Sequence, residues 1–394
     1  MPIEVSQEKL RNLREIVDRS VASIDACNIF LRDEPMCGGI EAISIESTNE
    51  NVFAEKLLGI LNNAGIALMI SIGHRTGLFD TLASMEAADS AEIADAAELN
   101  ERYVREWLGA MVTGGIVDYD NANGTYELPQ DHAAMLTRSA VPNNMASVAQ
   151  FIAVLGNVED DIVDCFKNGG GVPYEKFPRF HQVMAEESNQ TVVVPLIDSI
   201  LPSVDGLVDR LEEGINVLDV GCGSGWALIK MAEAYPNSHF HGYDFSEEAI
   251  TSAREKATAA GLKNIHFERK DVANLSESKC FDFVTAFDAI HDQAQPATVL
   301  ERIKQCLTED GIFLMQDIGG SSCVHHDREY PLAPLLYTIS CMHCMTVSLA
   351  DGGAGLGAMW GKETATRMLG EAGFEDVEVK SLPHDIMNLY FVAR

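Results

Sequence analysis

The stretch Val217-Leu218-Asp219-Val220-Gly221-Cys222-Gly223-Ser224-Gly225 decides how this chain folds. It opens as a short apolar run, the pattern of a strand buried in a sheet. Three glycines follow at alternate positions, and residues 226 to about 235 then read as a helix. Glycine lets the backbone turn tightly and lie against a ligand that a Cβ would block. The start of the helix offers unpaired N–H groups to an anionic group. From the residues alone the stretch is either a cofactor loop of the nucleotide type or a plain strand-turn-helix. The dinucleotide fingerprint is G-x-G-x-x-G, whereas the spacing here is Asp219-x-Gly221-x-Gly223-x-Gly225.

Three later points extend the pattern. Residues 238–243 read as a second strand that ends at Asp244. An acid in that place suits a ribose, because a carboxylate accepts hydrogen bonds from both hydroxyls. Residues 265–270 read as a third strand, followed by Asp271 and Val272. The run Phe281-Asp282-Phe283-Val284-Thr285-Ala286-Phe287 reads as a buried fourth strand, with Asp288-Ala289-Ile290-His291-Asp292 at its carboxyl end. Ligands of open α/β sheets bind at that edge.

In this order and spacing the segments resemble class I S-adenosylmethionine methyltransferases. The resemblance implies that the glycine turn, with Asp219, Gly221, Gly223 and Gly225, holds the methionine part of S-adenosylmethionine. It implies Asp244 at the ribose, Asp271 at the adenine amino group and Val272 against the ring, with Phe245 and Phe287 completing the cofactor set. A fifth strand over residues 311–316 and a last pair over 376–382 and 386–393 resemble the ending of that fold, whose seventh strand is antiparallel.

The chain has 394 residues, enough for two domains and a large core. Its formal net charge is −32, which favours solubility and argues against a polyanionic partner such as DNA or an acidic membrane face. Nine cysteines without a framework suit reduced thiols in a cytosol. Glu4, Glu8, Glu15 and Asp18 interrupt the beginning of the chain, so it does not read as a signal peptide. No run is read as approaching the roughly 20 apolar residues that a membrane helix needs.

Four parts are expected. Residues 1–50 form a helical appendage, with Leu10, Leu13, Ile16, Val17, Val21 and Ile24 at helical spacing. Residues 51–140 read as a winged helix: a long apolar helix over 51–75, another beginning at 78–83, a short helix over 90–97 capped by Ser90, a helix over 101–113, and a hairpin turned at Asn123-Gly124. Residues 141–213 read as a helical connector broken at Gly169-Gly170-Gly171-Val172-Pro173, and residues 214–394 as the cofactor domain. The chain is thus expected to be α/β, with a seven-stranded Rossmann-like class I methyltransferase sheet behind an N-terminal all-α/winged-helix domain.

A winged helix invites a DNA-binding reading. However, Arg102 and Arg105 are surrounded by Glu92, Asp95, Glu98, Glu101 and Glu106, and DNA binding needs a positive face. A winged helix ahead of such a domain instead resembles the plant and bacterial small-molecule O-methyltransferases, which implies a dimerisation module and a homodimer. The phrase Ser71-Ile72-Gly73-His74-Arg75-Thr76-Gly77-Leu78-Phe79-Asp80 resembles a bacterial group of winged-helix methyltransferases.

The phrase Ala289-Ile290-His291-Asp292 resembles the Leu-His-Asp-Trp of those O-methyltransferases, with Gln293 in place of tryptophan. The resemblance makes His291 the general base. An unperturbed pKa of about 6.5 suits that task, and the other reading is a histidine that only hydrogen-bonds near the cleft. Asp292 is expected to orient backbone or histidine, and Asp288 to cap a helix or contact cofactor. The resemblance also places Tyr174, Phe177, Phe180, His181 and Met184 on a substrate helix, with His181 a second candidate base. Cys341 and Cys344 lie on one face if helical, and with Cys323, His325 and His326 they could hold a soft metal; the favoured reading is a polarisable pocket wall and no metal. Residues 351–361 are glycine-dense and read as a cover with Trp360 as its apolar face, or as a plain connection. The functional reading is a cytosolic methyltransferase of a small-molecule acceptor. The alternatives are a cofactor-sensing winged-helix regulator and a non-catalytic dimeric binding protein.

Overall fold

The computed structural model describes residues 49–394; the helix expected over residues 10–24 lies outside them. The chain folds from a mainly helical front half into a seven-stranded sheet of order β5-β4-β3-β6-β7-β9-β8. The strands are β3 Asn216–Val220, β4 His239–Asp244, β5 Ile265–Arg269, β6 Phe281–Phe287, β7 Leu307–Ile318, β8 Val377–Lys380 and β9 Asn388–Ala393. The first five are parallel to one another, and β9 runs antiparallel to both β7 and β8. The chain order reverses around β3, between β4 and β6, the topological switch point where open sheets bind ligands.

Helices cover both faces, so the central strands carry apolar side chains on both sides. Leu228, Met231, Ile250 and Ala253, from the helices Trp226–Ala234 and Glu247–Ala259, pack against Val217, Phe240 and Phe283. Val299, Ile303 and Leu369, from Pro296–Cys306 and Lys362–Glu371, pack on the other face against Leu218, Val284 and Phe313. Strand β7 begins at Leu307, four residues before its expected start, because Leu307 already pairs with Phe281 ahead of a register shift.

The front half carries the helices Asn49–Thr76, Leu78–Ala83, Ser90–Ala96 and Glu101–Thr113, and the hairpin β1 Asp118–Asp120 with β2 Thr125–Glu127. Phe79, Ile93, Trp107, Leu108 and Met111 form their core. The cap of the third helix is Asp89 and not Ser90: the Asp89 carboxylate accepts from Ala91 N and Glu92 N, and Glu92 reaches back to Asp89 N in a capping box. Ser90 instead donates to Glu101 at 2.7 Å.

The phrase at residues 71–80 is a joint. Gly73 lies where a Cβ would meet Trp107 at 2.5 Å. His74 Nε2 is 2.9 Å from Glu186 Oε2, which also accepts from Gln150 Nε2 at 2.7 Å. Arg138 ties Asp80 to the His74 carbonyl. The connector then runs through Phe180–Ser188 into π-turns at Asn189–Val193 and Leu196–Ile200.

The expectation about long apolar runs needs correction. Asn51–Thr76 and Ala333–Ala350 are each long and apolar enough to cross a membrane by length and composition. Counting uninterrupted apolar residues missed them, because Asn62, Asn63 and Gly65 in the first and Ser340 and His343 in the second break the run. The second is built into the protein through Leu336, Cys344 and Val347. The first leaves Val52, Phe53, Leu57, Ile60 and Leu61 exposed.

Candidate functional site

The glycine turn lies over the end of β4. Gly221 N and Cys222 N both donate to the Tyr243 carbonyl, at 2.8 and 3.1 Å, and Gly223 N donates to Asp244 Oδ2 at 2.9 Å. All three glycines adopt positive φ. A Cβ on Gly221 would meet Ala289 at 2.7 Å and one on Gly225 would meet Phe267 at 2.5 Å, whereas one on Gly223 would point into open space. Gly221 and Gly225 are therefore needed for packing, and Gly223 leaves a cradle beside the backbone.

Two carboxyls flank that cradle. Asp219 is buried, and Thr285 Oγ1 donates to its Oδ1 at 2.7 Å. Burial pushes its pKa up to about 7. Asp244 sits at the strand end, where its two oxygens accept from Gly223 N and Ser246 N. Burial raises its pKa as well, against those hydrogen bonds and nearby His181. Each oxygen keeps a lone pair for a ligand hydroxyl.

The remaining cofactor candidates line the same edge. Asp271 caps the turn Val272–Asn274, accepting from Ala273 N at 3.0 Å and Asn274 Nδ2 at 2.7 Å. Val272 is buried, Phe287 half-buried, and Phe245 stands exposed beyond β4. The set fits S-adenosylmethionine: a backbone cradle that a Cβ would fill, a carboxylate at the second strand and an apolar slot beyond it.

His291 follows β6 and is buried. Its Nδ1 lies 2.7 Å from Asp317 Oδ1. A carboxylate only accepts, so Nδ1 carries the proton and Nε2 is left as the basic nitrogen. The same Asp317 oxygen accepts from Trp360 Nε1 at 3.0 Å and Ile318 N at 2.8 Å. Asp292 Oδ1 stands 3.2 Å from Nε2, and Asp288, in a left-handed conformation, stands 3.7 Å from Nδ1. Burial alone would lower the pKa of His291, but Asp317 and Asp292 outweigh it and hold it well above the ordinary value.

Aromatic side chains complete the surroundings. Tyr174, Phe177, Phe180 and His181 come together, with Tyr174 4.7 Å from His181 and 5.6 Å from Phe180, and Met184 packs against the same cluster; only Phe180, His181 and Met184 lie on the helix, Tyr174 and Phe177 preceding it. His343, which sequence reasoning did not single out, stacks on Phe180 at 3.5 Å with neither ring nitrogen hydrogen-bonded among the described residues. Burial lowers its pKa to about 4, so it is a neutral ring in this wall.

Asp317 and Trp360 were also missed as partners of His291. Trp360, read from the sequence as the apolar face of a cover, is buried and donates to Asp317. The segment behind it is pinned, with Ala354 N donating to Ala294 O at 2.9 Å. The ligand set imagined from Cys341, Cys344, Cys323, His325 and His326 is not assembled. Among the described residues, the groups close enough to share an ion are His291–Asp292–Cys344 and Asp288–His291–Asp317.

Comparison with known proteins agrees with this architecture. Residues 64–138 match the Rv2258c-like winged HTH domain, and residues 211–373 match a methyltransferase domain family. A malonyl-[acyl-carrier protein] O-methyltransferase of Bacillus cereus is 27% identical over 154 residues, covering 39% of this chain and 51% of the relative. A demethylmenaquinone methyltransferase of Listeria monocytogenes is 33% identical over 104 residues, covering 26% and 44%. The chain thus spans about half the length of these curated relatives. Human N-acetylserotonin methyltransferase, solved with S-adenosylmethionine, superposes with a TM-score of 0.63 at 18% identity, over 89% of this chain and 99% of that one. An O-methyltransferase family protein of Burkholderia thailandensis gives 0.63 at 15%, over 89% and 99%. At such identities these likenesses show the fold.

Fold, strand order and site define a class I methyltransferase, the class that works with S-adenosylmethionine. The chain carries a winged HTH domain of the Rv2258c-like type over residues 64–138 and a methyltransferase domain over residues 211–373.

Proposed function

We propose that the chain methylates a hydroxyl or nitrogen of a small molecule, as a homodimer in the cytosol. One observation carries this reading: the Gly223 cradle, the Asp244 carboxylate and the caged His291 share one edge of the sheet. When bound, S-adenosylmethionine supplies an electrophilic methyl group on a sulfonium.

The residues of the chain do the rest. Backbone of Gly221–Gly225 and Asp219 hold the methionine part, Asp244 accepts from the ribose, and Asp271, Val272, Phe245 and Phe287 frame the adenine. The aromatic wall of Tyr174, Phe177, Phe180 and His343 excludes water and aligns the acceptor, an effect worth several kcal/mol in well-oriented reactions. His291 Nε2 removes the proton from an acceptor hydroxyl, and Asp317 stabilises the imidazolium so formed. The same stabilisation keeps His291 protonated in the free site, so turnover rises with pH as that proton leaves. A neutral nitrogen acceptor needs no base.

A second copy fits the exposed apolar residues of Asn49–Thr76, because a helix apolar on all sides is normally buried. Duplex DNA does not suit the front domain: Arg102 and Arg105 are paired along their own helix with Glu106 and Glu101. A reducing cytosol suits the described cysteines, all free thiols. The named acceptors of the relatives differ, and none is carried over.

The test is a metabolite extract incubated with methyl-labelled S-adenosylmethionine and followed by mass spectrometry. A labelled small molecule that depends on the protein is expected. Tight cofactor binding with no labelled product from any extract overturns the enzyme reading in favour of a binding protein.

A further inference from the structure

His291 sits at the centre of a ligand set that proton transfer does not use in full. A ring nitrogen of His291, a carboxylate oxygen of Asp292 and Sγ of Cys344 all lie within 4.8 Å of one another. Asp292 Oδ1 is 3.2 Å from Nε2, yet this buried oxygen has no hydrogen-bond partner among the described residues. The two atoms are close without being aligned to share a proton. Two ligands each about 2.1 Å from a tetrahedral ion stand about 3.4 Å apart, so the observed spacing is that of two atoms facing one ion.

We propose that His291, Asp292 and Cys344 form a three-ligand site for a borderline-soft divalent cation of the zinc class.

Nitrogen, oxygen and sulfur in one set are the ligands that zinc accepts, and three protein ligands leave a fourth tetrahedral position for water. The charges balance, since a carboxylate and a thiolate around a neutral imidazole match a dication. Among the described residues no lysine or arginine forms an ion pair with Asp288, Asp292 or Asp317. The histidine is also fixed from behind. Its Nδ1–H donates to Asp317, and Trp360 Nε1 and Ile318 N hold the same carboxylate. A carboxylate behind a histidine orients the ring and raises the basicity of its other nitrogen, the arrangement typical of metal-binding histidines. The competing group, Asp288–His291–Asp317, shares Nδ1, which is already engaged with Asp317 at 2.7 Å. Cys344 ends the π-turn Ser340–Cys344, and such local widenings of a helix recur at functional sites.

The site stands on this geometry alone; its consequence for turnover rests on the reading of His291 as base. Metal binding displaces the thiol proton of Cys344 and the Nε2 proton of His291, and occupies the nitrogen that would take the acceptor proton. Ion and acceptor therefore compete, and a bound ion switches the base off.

The experiment is a titration of the chelator-stripped full chain with Co²⁺ followed by visible spectroscopy. One equivalent should bind with tetrahedral ligand-field bands and a thiolate-to-cobalt charge-transfer band. Cys344→Ser should lose the charge-transfer band, whereas Cys341→Ser should keep it. Asp317→Asn, which removes the carboxylate behind the histidine, should weaken binding by about 10–100-fold. Absence of a thiolate band in the wild-type chain, or its survival in Cys344→Ser, overturns the proposal. Asp292→Asn supplies a second reading should Cys344→Ser not fold: unchanged Co²⁺ affinity there overturns it equally. No readout involves methyl transfer, so failure of the proposed activity and failure of this site are distinguishable.

Discussion

Trp360 donates its indole N–H to Asp317 Oδ1 at 3.0 Å, on the oxygen that also receives the proton of His291 Nδ1. A tryptophan 43 residues further along the chain thereby helps set the position and basicity of a histidine it does not bond. Asp317→Asn should lower the pKa of His291, because the carboxylate that stabilises the imidazolium is gone. The acid limb of the activity profile then moves to lower pH while maximal turnover falls, since the ring loses its orientation. Histidine-selective NMR titration of wild type and variant checks this without a substrate.

His291→Ala separates catalysis from binding. Affinity for S-adenosylmethionine should be nearly unchanged, whereas turnover of a hydroxyl acceptor falls by about 10²-fold or more. High pH should partly rescue the variant if the acceptor is a phenol. A raised KM with little change in kcat and no rescue would show that His291 only shapes the cleft, and would shift the base role to His181.

Gly223→Val and Asp244→Ala test the cofactor cradle. Calorimetry should show weaker binding of S-adenosylmethionine to both. The valine variant should also melt lower, because Gly223 has a φ of 51° and a side chain there costs about 1–2 kcal/mol. Unchanged affinity in both variants would remove the assignment.

Burial raises the pKa of Glu187 and Asp219 to about 7 each. A carboxyl whose folded pKa exceeds its unfolded value contributes stability below the unfolded pKa, near 4, and loses it as pH rises through the folded one. The melting temperature of the ligand-free protein should therefore fall as pH is raised from about 5 to 8. Glu187→Gln should flatten that slope, and an unchanged slope would show that Glu187 is not the group responsible.

Much of this was legible from local pattern. The strands β3, β4, β5 and β6, each ending in or followed within two residues by glycine or acid, fixed the cofactor edge because strand ends and turn residues are set by neighbours in sequence. The Glu101–Thr113 helix and the hairpin turned at Asn123-Gly124 were legible for the same reason. The partners of His291 were not. Asp317, Cys344 and Trp360 reach it across 26, 53 and 69 residues, and nothing near His291 in sequence announces them. An acid just after the apolar run at residues 312–315 near the end of β7, as Asp317 is, was the one available signal. Residues 51–75 were legible as an apolar helix, but interspersed asparagines and glycines kept them from being counted as a membrane-length run.

That first helix has a consequence for handling the protein. Val52, Phe53, Leu57, Ile60 and Leu61 meet little of the described residues, and where another molecule buries them its occupancy follows mass action. If the cover is another copy, the heat resistance of this region becomes a function of dilution. The melting temperature should rise with protein concentration until the copies are fully paired. A stock kept dilute should lose its front end first, exposing a sticky greasy rod on an otherwise strongly anionic particle.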